Sequence, residues 1–253
     1  DNLIIEPSGK NTAPCIGLAA LEISKLQEDA VMGVFSADHL IENHSKFIES
    51  VRTAYLMAQK KKTVVTLGIT PTFPSTGYGY IQYDKESNIL LTFGDNTPPS
   101  NDVFPLKAFV EKPDKDTAKS YVSGGEHLWN SGMFIWRVDV LLTLFKTHMP
   151  ELNENLERIK KLLERSEDIS TEWNGIISQS IDYGIMERLT SNSYVLKAGF
   201  DWADVGSWKA LHDILPKDDE NNAIQGNGVV VSGKNNVIYS FFVTNQNLLD
   251  QES

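Results

Sequence analysis

The chain has 253 residues, 41% of them hydrophobic and 23% charged. That composition is enough for one substantial core with a smaller second unit, and it excludes a disordered polymer. A formal net charge of −11 leaves no general basic footprint, which argues against nucleic-acid binding but allows a locally basic pocket for a small anion. The single cysteine, Cys15, rules out an internal disulfide and fits a reducing compartment. No apolar run approaches the ~18 residues of a membrane span, and the sequence shows no signal peptide. A cytoplasmic protein with no membrane partner is therefore expected.

In chain order, residues 2–6 (NLIIE) read as a short apolar strand ending at the turn Pro7-Ser8-Gly9. Residues 14–27 have helical spacing of Ile16, Ala19, Ala20 and Ile23, with Pro14 suited to a first turn. Cys15 falls on the apolar side of that helix and reads as packing. Residues 30–36 (AVMGVFS) form a strand ending near Asp38-His39. Residues 45–62 form a helix closing in three lysines, and residues 63–68 (TVVTLG) the next strand. The alternation predicts an α/β fold with a parallel sheet covered by helices.

The middle is more broken. A Pro/Gly/Thr-rich loop over 71–79 leads to a strand at 80–84, and residues 94–102 are turn-rich. Strands are expected at 106–111 and 131–136, with a helix at 116–123 between them. Helices follow at 138–148 and 151–165, a strand at 194–198 and a helix at 207–215. Residues 218–227 read as a polar linker before β-like segments at 228–232 and 236–243. This divides the chain into a main domain over 1–217 and a linker with the start of a small β region over 218–253.

Glu6, Asp38, Glu111 and, less clearly, Asp204 each follow a strand. Ligands of parallel α/β sheets bind beyond the carboxyl ends of the strands, so these acids are better candidates than helix-surface ones. Asp38 can serve as a Mg²⁺ ligand or a solvated turn, and His39 as a base or a structural histidine. No zinc spacing occurs among five histidines and one cysteine. Glu111-Lys112 pairs an acceptor for hydroxyls with a point charge for phosphate, or forms an ordinary ion pair. Gly79 lies between two tyrosines, where it allows either close ligand approach or a bulge. Asn130 can read hydroxyls or simply turn the chain. Either Asp201 or Asp204 can be a second metal ligand, and Ser207 a helix cap.

Together these segments resemble the mannose-1-phosphate guanylyltransferase (GDP-mannose pyrophosphorylase) family. The matching segments are EPSGKNTAP from Glu6, SADH from Ser36, GYGYI from Gly77, FVEKP from Phe109, WNSGMF from Trp129 and WADVGSW from Trp202. SIDYGIME from Ser180 also fits. The likeness spans residues 2–240, and GKNTAP points to the guanylyl-mannose branch. It implies a Rossmann-like nucleotidyltransferase fold with a mixed, mostly parallel sheet flanked by helices and a short C-terminal β segment. It implies the reaction of GTP with mannose 1-phosphate to give GDP-mannose and diphosphate, with Mg²⁺. Carried over by residue, it implies metal-holding Asp38 and Asp204, and Glu6, Asn11 and Ala13 lining a guanine pocket. Gly79, Glu111 and Asn130 then contact the sugar, and Lys112 lies near its phosphate. Asp182 matches a family position but is expected mainly as an N-cap for the next helix. The Gly-rich, Arg-containing loop with which the family opens has no counterpart in the sequence. A chain unable to cradle the triphosphate by itself is thus expected. A homodimer is compatible with the sequence but not required by it.

Overall fold

The structure is a computed structural model describing residues 3–89, 102–189, 191–226, 228 and 230–240. Residues 94–101 of the expected turn-rich stretch and residues 241–253 lie outside the described residues.

Residues 3–6 are not a strand. Leu3 and Ile5 are largely exposed, and among the described residues no strand pairs with this segment. A short run of three apolar residues, Leu3–Ile5, without a hydrogen-bonding partner has no ladder to join. Helix α1 (Thr12–Leu26) follows, with Asn11 accepting from the Thr12 N–H as its cap. It buries Ala13, Ile16, Leu18, Ala20 and Leu21. Cys15 is exposed, contrary to the packing role expected of it, because it lies on the side of α1 turned away from those residues. Burial of part of the side chain, and then the nearby Glu6 carboxylate, push its thiol pKa up, which disfavours a thiolate nucleophile.

Strands β1 (Val31–Val34) and β2 (His39–Ile41) precede helix α2 (His44–Lys61), which ends on Lys60 and Lys61. Strand β3 (Val64–Ile69) is buried at all six positions, as a central strand should be. After β4 (Tyr80–Tyr83) and β5 (Val103–Val110), Asp114 caps helix α3 (Lys115–Gly124) by accepting from the N–H groups of Asp116 and Thr117. Strand β6 runs from His127 to Arg137, longer than its apolar run suggested. It therefore carries Trp129 and Asn130 inside the strand, not ahead of it. Helices α4 (Val138–His148) and α5 (Pro150–Glu164) follow, then the short helices α6 (Ser170–Asn174) and α7 (Ile181–Gly184) and a 3-10 turn over Met186–Arg188. Strand β7 (Ser193–Lys197) completes the sheet.

The sheet order is β1-β6-β3-β7-β5-β4, with β4 also meeting β6. Strands β1, β3 and β4 each run antiparallel to β6, and β7 runs parallel to β3 and antiparallel to β5. The strands β1, β3, β4 and β7 thus share one sense, and β5 and β6 run the other way. Most strands point in one direction, as expected, yet β3 with β7 is the sheet's parallel pairing among the described residues, because the reversed strands lie between the others. The β3–β6 ladder slips between Thr66 and Gly68, where Gly68 faces Asn130 and Thr66 faces Phe134. The extra β6 residues bulge there, with Gly132 at φ 71, and such a bulge re-aims the neighbouring side chains. The core holds fully buried Trp136, Phe134, Phe145 and Trp173. Helices α1, α4 and α5 pack on one another beside it.

Two compact units result: residues 1–36 with 43–200, and residues 37–42 with 201–253. The division falls near residue 200 and not at the expected 217, because β8 (Trp202–Asp204) pairs with β2 and not with the six-stranded sheet. The smaller unit continues with α8 (Trp208–Ile214), capped by Ser207 accepting from the Ala210 N–H. Strand β9 (Ala223–Gln225) then pairs in parallel with β10 (Val237–Tyr239). Strand β9 occupies part of the stretch expected to be linker, and the described residues of 228–232 are not a strand.

Candidate functional site

In the larger unit, Gly79 sits just ahead of β4, Glu111 just beyond β5 and Asn130 at the β6 bulge. The structure brings all three together. A Cβ added to buried Gly79 would lie 2.3 Å from Glu111 Oε2 and 3.2 Å from Asn130 Cβ. A larger residue there would have to displace the Glu111 carboxylate and crowd Asn130. The Asn130 backbone N–H donates to the Gly79 carbonyl (2.8 Å), tying the two segments.

Helix α7 adds a fourth member. Asn130 Nδ2 donates to Asp182 Oδ1 (2.9 Å), and Asn130 Oδ1 accepts from the Gly132 N–H (2.9 Å). Asp182 is not the N-cap expected of it: Ser180 takes that place, accepting from the Tyr183 N–H. The Asp182 carboxylate is thereby free to meet Asn130 across the sheet edge. Glu187 is also drawn in, its Oε1 accepting from the Glu111 backbone N–H (3.0 Å).

Glu111 thus lies among two further carboxylates, Asp182 and Glu187, and one ammonium, Lys112. Lys112 Nζ lies 3.6 Å from Glu111 Oε1, but its side chain is 59% exposed against 11% for Glu111. An ion pair so open to water is worth at most ~1 kcal/mol, too little to offset burial of the carboxylate. Burial first, and then the Asp182 charge, push the Glu111 pKa up to about 7. Burial also raises the Asp182 pKa, against the opposing hydrogen bond from Asn130. Glu111 Oε2 is buried without a hydrogen-bond partner, and a buried oxygen of this kind costs free energy until a ligand satisfies it. Beside the cluster, Trp129 is flanked edge-on by Phe73 and Tyr78, with centroids at 4.8 and 5.2 Å.

The segment from Glu6 to Ala13 lies against residues 173–181. Trp173 Nε1 donates to the Ser8 carbonyl (2.7 Å), Lys10 Nζ to the Asn174 carbonyl (2.9 Å) and the Ile181 N–H to Thr12 Oγ1 (2.9 Å). Ala13 is wholly buried and its N–H donates to the Gln179 carbonyl. It has no group left for a ligand. Asn11 commits its side-chain oxygen to the α1 cap, and Glu6 Oε2 is buried without a partner.

In the smaller unit, β2 and β8 bring Asp38 and Asp204 together, with His39 opposite Asp204 in register. A Cβ on Gly206 would lie 3.0 Å from Asp204 Oδ1 and 3.3 Å from Asp38 Oδ2, so both carboxylates border the same small space. The Gly206 N–H donates to Asp204 Oδ1 (2.9 Å), and the Val205 N–H to the Asp38 carbonyl (2.9 Å). His39 stands edge-on to Trp202, with centroids 5.2 Å apart. Burial lowers its pKa against the raising effects of Asp38 and Asp204. Among the described residues no group of three or more His, Cys, Asp or Glu could hold a metal. Two carboxylates suit a hard cation that keeps waters or phosphate oxygens as its other ligands, as Mg²⁺ does.

Residues 1–221 match the model of the family described as Nucleotidyl transferase. The chain belongs to the nucleotidyl transferase family. Among the family's curated members, a Klebsiella pneumoniae mannose-1-phosphate guanylyltransferase is 37% identical over 244 residues, covering 95% of this chain and 50% of the relative. An Escherichia coli protein of the same name is 37% identical over 243 residues, covering 94% and 49%. The chain spans about half the length of these curated relatives. Of solved structures, a Thermus thermophilus protein named mannose-1-phosphate geranyltransferase superposes with a TM-score of 0.73 at 31% identity, covering 89% of this chain and 61% of its own. A Helicobacter pylori protein named mannose-6-phosphate isomerase gives 0.63 at 25% identity, with 78% and 72% covered.

Within this member of the nucleotidyl transferase family, the reversed strands β5 and β6 carry two of the candidate residues, Glu111 and Asn130, together. Asp182 matched a family position but was expected mainly as a cap, and Glu187 escaped the sequence reading of this site. The available signal was the SIDYGIME segment, in which Ser180 is the better cap and leaves Asp182 without a local task.

Proposed function

We propose that the chain carries the nucleotidyl-transfer site of a guanylyltransferase that moves GMP from GTP to mannose 1-phosphate, forming GDP-mannose and diphosphate. The observation that supports it is the convergence of Gly79, Glu111, Lys112 and Asn130 in one cluster, in a chain 37% identical over 95% of its length to a protein named for that reaction.

Glu111 and Asn130 bind sugar hydroxyls, and Gly79 leaves room for the ring. Lys112, exposed at the mouth of the cluster, holds the sugar phosphate as a point charge. A phosphate oxygen of the sugar then attacks the α-phosphorus of GTP in line, and diphosphate leaves. Such a transfer needs no covalent enzyme intermediate, so positioning and charge neutralisation supply the rate. Asp38 and Asp204 would hold Mg²⁺, which neutralises phosphate charge when bound. Glu6, with its unpartnered oxygen, and the amide nitrogen of Asn11 face the guanine edge, while Ala13 serves by packing.

The test is diphosphate release by the full-length protein from GTP, mannose 1-phosphate and Mg²⁺, with UTP and dTTP in parallel. Preference for GTP is expected. Faster release from UTP or dTTP would overturn the guanylyl assignment.

A further inference from the structure

Both ends of the Asn130 amide are fixed by groups with no choice of role. The Gly132 N–H can only donate, so it must face Oδ1 (2.9 Å). Nδ2 is then turned to Asp182, whose oxygen accepts at 2.9 Å. One amide hydrogen and one carbonyl lone pair remain for a ligand. Next to them is Glu111 Oε2, buried and unpartnered, at the surface that Gly79 keeps open. Among the described residues Asp182 makes no hydrogen bond to Glu111 or Lys112, yet it holds the Asn130 amide and adds negative charge beside Glu111.

We propose that Asp182 is a positioning residue which locks the Asn130 amide and, with Asn130 and Glu111, makes one hydroxyl-reading cluster for the sugar ring. This rests on the sugar-phosphate assignment above and assigns the ring's orientation to a residue on α7. The charged groups facing Glu111 are Asp182 from α7, Glu187 from the following 3-10 turn and its own neighbour Lys112. With two of the three negative, Glu111 keeps its proton up to about pH 7 and donates to a hydroxyl below that pH, accepting from one above it. Asn130 can do both at any pH. The cluster therefore suits a ring with adjacent hydroxyls, which can each donate and accept, and disfavours a carboxylated sugar.

Two variants separate the roles. Asp182→Asn keeps an acceptor for Asn130 Nδ2 and removes the charge, whereas Asp182→Ala removes both. In Asp182→Ala the KM for mannose 1-phosphate should rise about tenfold, the loss of one buried hydrogen bond, with a smaller change in kcat. Asp182→Asn should restore most of that KM. Carboxyl NMR titration of Glu111 should move down by about one pH unit in both variants. Hydrogen exchange of the Asn130 side-chain amide should be slow in the parent and Asp182→Asn and fast in Asp182→Ala. A Glu111 midpoint unmoved by Asp182→Asn, or Asn130 exchange unchanged in Asp182→Ala, would overturn the inference. Both readouts need no substrate. If they behave as stated and the full-length parent protein shows no turnover of mannose 1-phosphate, the inference about Asp182 stands and the guanylyltransferase assignment falls.

Discussion

The two units each build a carboxylate site around a glycine, and they do it differently. In the larger unit Gly79 is buried, and the site gathers Glu111, Asn130 and Asp182 from separate elements, with a hydrogen bond spanning 52 residues of sequence. In the smaller unit Gly206 and Asp38 are exposed, and the site arises from two three-residue strands and the turn after the second. Enclosure is what separates them. The first site excludes enough water for a neighbouring carboxylate to change the proton affinity of Glu111, which suits selective contact with neutral hydroxyls. The second stays open, which suits a cation that must keep water or phosphate oxygens among its ligands.

The largest effect that would sharpen this contrast is expected from Asp204→Asn. In the full-length enzyme, loss of one of the two carboxylates proposed to hold the metal should lower Mg²⁺-dependent diphosphate release by ~10²–10³-fold, with the circular dichroism spectrum unchanged. Near-normal release would remove Asp204 from the metal site.

Next come the glycines. Gly79→Ala places a methyl 2.3 Å from a buried carboxylate oxygen, whereas Gly206→Ala places one 3.0 Å from an oxygen on a more open turn. Gly79→Ala should raise the KM for mannose 1-phosphate by ~10-fold or more. Gly206→Ala should shift the Mg²⁺ requirement by only a few-fold, since a half-exposed carboxylate can give way. Equal effects of the two on steady-state kinetics would break the comparison.

The smallest effect concerns stability. The folded-state pKa of Glu111, about 7, lies above its ordinary value of 4.5. Its contribution is therefore fully present below pH 4.5 and is lost as pH rises through 7, because the ionised form is poorly solvated where it sits. Glu111→Gln should remove that pH dependence and stabilise the protein above pH 7 by about 1–2 kcal/mol. Chemical denaturation at pH 5 and pH 8 measures the difference, and a variant less stable than the parent at pH 8 would contradict the burial argument.

Much of this was legible in the residues. Helices α1, α2, α4 and α5 follow from apolar spacing and end signals, and β3 from an unbroken apolar run. The candidates Asp38, Glu111 and Asp204 stand out as acids after expected strands, and Gly79, Lys112 and Asn130 as members of short segments beside strands, because local chemistry there is constrained by what lies within a few residues. Strands β2, β8 and β9 were not found. Each is three residues long, too short to show a period, and exists only because a partner is present.

The sequence by itself determined the α/β class, the main helices and the candidate site residues, since these depend on neighbours along the chain. Only the tertiary structure decided that residues 3–6 form no strand, that Cys15 faces out and that the sheet interleaves two reversed strands. It alone turned Asp182 from a helix cap into the partner of Asn130. A cap needs one oxygen near one helix end, and Ser180 already supplied it. The second task of Asp182 comes from β6, brought alongside by the fold, and no local pattern encodes that meeting.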